Sequence, residues 1–187
     1  MSRDMSPSVY GTHIHPLITA ALNTDGHILE LGCGDYSTPL LHAICKSQKR
    51  DLLSTDTDKE WLEKFKDLET YWHRFQYVPV YESNPPNSDA WNQVGSLPWL
   101  WGLLFVDHRP GERRVQDIIR FKESAWVIVV HDTETLSYGY EPAFKLFKYR
   151  YDYKRYNVHT TIVSQFVDVS TWFDEKNSRQ FSLAKAE

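Results

Sequence analysis

Short apolar runs alternate with amphipathic stretches along most of this chain. Positions 27–31, 52–56, 103–107 and 126–130 read as short buried strands, and 75–81 as another. The run at 126–130 is the most apolar, and near-continuous apolar strands are what a parallel sheet buried on both faces requires. Between them lie helical patterns. One covers 17–22. A second follows Ser37 or Thr38 as cap, with Pro39 in the first turn and Leu40, Leu41, Ile44 and Cys45 on its apolar face. A third has Thr57 and Glu60 at capping-box spacing, then Trp61, Leu62, Phe65, Leu68 and Trp72, although Asp58 is also a natural cap. A fourth, beyond Pro110-Gly111, carries Val115, Ile118 and Ile119. After a short helical stretch near Phe144 and Phe147, two strand candidates at 149–156 and 160–167 lie close enough to pair antiparallel. Alternation of this kind predicts a doubly wound α/β sheet with helices on both faces, as one domain over 1–173. Residues 1–25 form the lead-in and first helix, and 174–187 a polar tail.

In such folds ligands bind beyond the carboxyl ends of the strands, so residues at strand ends rank first. The first strand ends in Glu30-Leu31-Gly32-Cys33-Gly34, a turn whose glycines let the backbone bend and approach a ligand. The second ends in Asp56, near the spacing of about 20 residues at which a carboxylate meets ribose hydroxyls in nucleoside-binding folds. The turn lacks the third glycine of a dinucleotide fingerprint, because Tyr36 and Ser37 stand where it is sought. That argues against a nicotinamide-dependent oxidoreductase. The long segment 82–98 reads as a loop of the functional kind.

Three strings resemble the class I S-adenosylmethionine-dependent methyltransferases, in particular small bacterial-type members. They are Ile28-Leu29-Glu30-Leu31-Gly32-Cys33-Gly34-Asp35-Tyr36-Ser37-Thr38, Ser54-Thr55-Asp56-Thr57-Asp58, and Val106-Asp107-His108-Arg109-Pro110-Gly111. The resemblance implies a Rossmann-like seven-stranded sheet, mostly parallel with an antiparallel terminal strand. It implies S-adenosylmethionine as cofactor, with Gly32 and Gly34 close to its methionyl part, Asp56 holding the ribose, and Glu30, Cys33 and Thr57 also among the cofactor-binding residues. Tyr81 and Glu82 would flank the adenine, and Asp107 would orient the cofactor amine or the acceptor. Tyr36 departs from the pattern, since many members have a small residue there.

The catalytic candidates are Asp107, His108 and Asp132. His108 is a candidate general base, because imidazole titrates near about pH 6.5, or a structural residue bonding loop backbone. Acids at the ends of the fourth and fifth strands resemble the Mg²⁺ ligands of catechol-type members. Thr133 stands where those have an amide, so Mg²⁺ at Asp107 and Asp132 is possible in principle but no metal is expected. His13 and His15 belong either to a segment closing the cofactor site or to the surface. Arg113 and Arg114 either meet an anionic acceptor or pair with Glu112. Trp91, Trp99 and Trp101 line an acceptor pocket or cover the sheet.

Composition changes this picture little. A net charge of −4 over 187 residues gives no reason to expect nucleic acid, and seven Trp, eleven Tyr and nine Phe supply a real core. Two cysteines make no disulfide framework. No signal peptide or membrane span is evident, so a cytoplasmic protein with a small-molecule acceptor, methylated at oxygen or nitrogen, is expected. The alternative is a binding or regulatory protein that keeps the fold without turnover.

Overall fold

The computed structural model describes residues 9–80, 87–96 and 100–173. Seven strands form one sheet in the order β3-β2-β1-β4-β5-β7-β6. They are β1 (Ile28–Leu31), β2 (Leu52–Asp56), β3 (His73–Tyr77), β4 (Trp101–Val106), β5 (Ala125–His131), β6 (Tyr149–Tyr153) and β7 (Thr160–Ser164). β1 pairs parallel with β2 and β4, β2 with β3, and β4 with β5. β7 runs antiparallel between β5 and β6, so the reversed strand is the last in sequence but not the edge.

Alternate side chains of the central strands feed two cores. Leu29, Leu31, Leu104, Val106, Ile128 and Val130 point to one face, where α4 (Arg114–Arg120), α5 (Glu141–Phe144) and Trp91 cover them. Ile28, Leu103, Phe105, Val127 and Val129 point to the other, under α1 (Ile14–Leu22) and α2 (Thr38–Gln48). Burial on both faces explains why these strands read as continuous apolar runs. Trp91 is a core residue in the sheet-covering role, and Trp101 is a buried residue of β4 itself; Trp99 lies outside the described residues.

Several boundaries differ from the sequence pattern. The first helix begins at Ile14, not 17, because His13 takes the N-cap position and its carbonyl accepts from the Leu17 amide. The third strand is His73–Tyr77 rather than 75–81. α3 (Lys59–Lys64) is capped by Asp58, whose Oδ1 accepts from the Glu60 and Trp61 amides, so the Thr57–Glu60 capping box does not form. Neither Ser37 nor Thr38 caps α2 by its side chain; the Thr38 hydroxyl serves the turn before it. The tail 174–187 lies outside the described residues. Among the described residues no helix is long and apolar enough to cross a membrane.

Candidate functional site

The ends of β1, β2, β4 and β5 meet at one edge of the sheet. Gly32 leaves β1 at φ +94°, a region open to glycine and strained for other residues. A Cβ there would lie 2.6 Å from the Asp107 carbonyl carbon and 2.7 Å from the His108 nitrogen. The glycine is therefore required first by its neighbour strand, which passes where a side chain would stand.

Asp56 closes the turn from the β2 side. Its Oδ2 accepts from the Cys33 amide at 2.8 Å and its Oδ1 from the Asp58 amide at 2.9 Å. Trp61 Nε1 donates to the Cys33 carbonyl at 2.7 Å, so both polar groups of that peptide segment are held. Burial raises the Asp56 carboxyl pKa, against backbone donors at Asp58, Cys33 and Thr57 that lower it. A carboxylate has about four lone-pair sites, so acceptor capacity remains beyond these three amides.

Glu30 lies under the turn rather than in it. It is fully buried; Thr38 donates to Oε1 at 3.0 Å and Ser54 to Oε2 at 2.6 Å. Thr38 in turn accepts from the Gly34 amide. Burial pushes the Glu30 carboxyl up to about 7, with the Ser37, Ser54 and Thr38 hydroxyls opposing. Glu30, expected among the cofactor-binding residues, has its carboxyl fully buried and bonded to Thr38 and Ser54, so it braces the turn from below. The Ser54 hydroxyl also meets His73 Nε2 at 2.9 Å, and His73 Nδ1 meets His42 Nδ1 at 2.9 Å, so a polar chain runs from Glu30 to the half-exposed His42.

At the β4 end, Asp107 and His108 part company. Asp107 is half-buried at the edge, with Oδ2 3.2 Å from His131 Nδ1 and Oδ1 3.0 Å from Arg114 Nη2. Burial alone would raise its pKa, but the His131 hydrogen bond and the Arg114 charge prevail and hold it below the usual carboxylate value. His108 turns the other way, into the core. It is 1% exposed, packs on Trp91 with ring centroids 4.2 Å apart, and has Nε2 3.1 Å from Asp117 Oδ2. That contact is within ion-pair reach, yet neither ring nitrogen makes an aligned hydrogen bond. Burial lowers the His108 pKa although Asp117 raises it. The general-base role expected of His108 is therefore corrected to a structural one: its ring cannot reach a substrate at the sheet edge.

The two arginines also depart from expectation. Arg113 makes a bidentate pair with the fully buried Asp117, and Arg114 donates to the Asp107 and His108 carbonyls, to Asp107 Oδ1 and to Asp132 Oδ2. Neither pairs with Glu112 in these contacts. Arg114 is a clamp that holds the ends of β4 and β5 together. Asp132, with φ +59°, points its Oδ2 at this clamp at 3.1 Å and its Oδ1 toward His131 Nδ1 at 3.5 Å.

The residues the sequence reading missed are His131 and the role of His13. His131 Nε2 lies 3.0 Å from Thr12 Oγ1, and its Nδ1 faces Asp107. Burial lowers its pKa, but the bond and charge of Asp107, with Asp132, outweigh that and raise it. His13 is 3% exposed, not a surface residue, and its ring meets His131 edge-on at 4.5 Å. Neither His13 nitrogen has a hydrogen-bond partner among the described residues. One ligand-capable atom from each of His13, Asp107 and His131 falls within 4.8 Å of the others. His131 was legible as a strand-end residue; His13 had no local signal beyond preceding a helix. His15 is exposed and stacks on Tyr153. Tyr36, exposed at the turn, lies against Gly11, so the departure at this position meets the N-terminal segment. Tyr81 and Glu82, the expected adenine flank, lie outside the described residues.

No protein-family model matches the sequence, and neither does any curated protein. Solved structures do match. The N-terminal domain of human METTL16 in complex with SAH aligns over 87% of this chain and 73% of its own, at TM-score 0.54 and 13% identity. Human methyltransferase 10 domain containing protein aligns over 86% and 84%, at 0.54 and 10%. A methyltransferase structure from Thermoplasma acidophilum aligns over 75% and 68%, at 0.50 and 12%. The fold is that of the class I methyltransferases. At these identities the likeness is one of backbone path. In this class I methyltransferase fold, the Gly32 turn, Asp56 and Asp107 occupy the carboxyl edge of the parallel strands, where α/β sheets receive ligands.

Proposed function

We propose that this chain is an S-adenosylmethionine-dependent methyltransferase acting on a small-molecule acceptor at oxygen or nitrogen. The observation that carries the reading is the turn itself: Gly32 passes against β4 while the Asp56 carboxylate at the end of β2 holds the Cys33 amide and keeps free acceptor capacity at the same edge. A nucleoside cofactor needs that arrangement, a carboxylate to accept from ribose hydroxyls beside a backbone turn without side-chain bulk. S-adenosylmethionine supplies an electrophilic methyl group on a sulfonium. The protein's part is alignment: Asp56 and the turn bind and orient, and Asp107 with its neighbours lines the acceptor side. The half-buried position of Asp107, beside the buried His13 and His131, supports a small acceptor over a macromolecular one, as does the net charge of −4.

Calorimetry with S-adenosylmethionine and with NAD tests the cofactor. Binding of the first and not the second is expected; tight NAD binding alone would sink the reading. Asp56→Asn, which keeps an acceptor oxygen but loses the charge, is expected to weaken S-adenosylmethionine by roughly 5- to 150-fold, the equivalent of about 1–3 kcal/mol. Unchanged affinity in the folded variant overturns the ribose assignment. Binding without methyl transfer to any member of an acceptor panel, RNA and protein included, would identify a non-catalytic binder.

A further inference from the structure

We propose that His13, Asp107 and His131 form a binding site for a divalent transition-metal ion, of which Zn²⁺ is the best fit. The three come from distant parts of the chain: the start of α1, the end of β4 and the end of β5. Their ligand atoms nevertheless lie within 4.8 Å of one another. The His131 Nδ1–Asp107 Oδ2 separation of 3.2 Å is already close to the edge of a tetrahedral shell, about 3.4 Å for bonds of about 2.1 Å. Bringing all three atoms onto such a shell closes separations of at most 4.8 Å to about 3.4 Å.

His13 supplies an independent sign. A histidine 3% exposed whose two nitrogens have no partner among the described residues is costly, because a buried polar group without a hydrogen bond loses its hydration for nothing. It is aimed at His131 and Asp107, and a metal ion is the partner that would use its lone pair.

The surroundings match what metal ligands require. A ligating histidine commonly donates its other ring N–H to a second partner, and Thr12 Oγ1 stands 3.0 Å from His131 Nε2. Asp107 Oδ1 is fixed by Arg114, leaving Oδ2 as the ligating oxygen. The Arg114 charge is itself offset by Asp132, at 3.1 Å. Two imidazoles and one carboxylate favour Zn²⁺, Fe²⁺ or Ni²⁺ over Mg²⁺, which prefers an all-oxygen octahedron. The ligand set therefore differs from an Asp107–Asp132 pair, since Asp132 Oδ2 is turned to Arg114. With three protein ligands, coordination positions remain for an outside oxygen or nitrogen donor.

The site rests on its own three residues and does not need the methyl-transfer reading; S-adenosylmethionine binding and metal binding can each fail alone. The test uses the full chain, stripped by chelation and titrated with Zn²⁺ against a chromophoric competitor, then with Co²⁺ while visible absorption is recorded. Uptake of one equivalent and a Co²⁺ spectrum of imidazole–carboxylate coordination are expected. His13→Ala, His13→Gln and His131→Ala should each weaken uptake at least tenfold, and His15→Ala should leave it unchanged. Lack of stoichiometric uptake of either ion by the wild-type chain overturns the proposal, whatever the variants do. So does wild-type affinity in either folded His13 variant.

Discussion

Glu30 shows how one buried carboxyl couples the turn to pH. Its folded pKa of about 7 lies above the ordinary 4.5, so between those values the native state holds a proton that the unfolded chain has released. Stability from this group is therefore full below about pH 4.5 and falls as pH rises to about 7. The shift corresponds to roughly 3 kcal/mol across that window. Urea denaturation at pH 5 and pH 8 should show this loss, and Glu30→Gln should remove much of it, since the amide stays neutral and can still meet Thr38 and Ser54. An equal pH difference in the variant would count against the buried, protonated Glu30. The sequence identified this residue by position alone. Its direction, down into the sheet rather than up toward a ligand, follows from the alternation of β1, which buries every side chain of the strand.

At the scale of elements, the β4–α4 connection carries the densest buried charge. Asp117 is fully buried, with Arg113 at 2.8 Å, Arg120 at 2.8 Å and His108 at 3.1 Å. Burial raises its pKa, but the close His108 ring and the bonds and charge of Arg113 outweigh that and hold it at about 2. Removing one partner of such a group leaves uncompensated buried charge. Asp117→Ala is expected to cost about 3–5 kcal/mol, measured by chemical denaturation. A loss below about 1 kcal/mol would mean water or rearrangement satisfies the arginines. The apolar spacing of Val115, Ile118 and Ile119 announced this helix, yet the Arg113-Arg114 pair before it read as a possible anion site. Charge type was visible, and Asp117 stands only four residues after Arg113; the partners of Arg114 were not visible, because Asp107 and Asp132 reach it from the ends of two different strands. The same holds for α3, where Asp58 rather than Thr57 became the cap, through an extended backbone at φ −107° that aims its carboxylate at two free amides.

For the whole molecule, the sheet sets a gradient of protection. β4 and β5 are central and almost wholly buried, while β3 and β6 are edges with exposed positions. Native-state hydrogen exchange is expected to be slowest at amides of β4 and β5 and faster by orders of magnitude at the outer sides of β3 and β6. Uniform exchange would contradict this layering. By itself the sequence determined the alternation of strands and helices, the two-faced burial of the parallel strands and the ranking of strand ends, because these depend on local periodicity and on rules of chain connection. The glycine turn opening at Gly32 and the carboxylate at Asp56 belong to that part. Only the tertiary structure decided which strand-end side chains face one another. Asp107 and His108 are neighbours in sequence, but successive residues point to opposite sides, so one meets the edge and the other the core. His13 and His131 are 118 positions apart and come together because α1 packs over β4 and β5. No spacing in the chain encodes that meeting; it arises from packing, and with it comes the cluster that distinguishes this site.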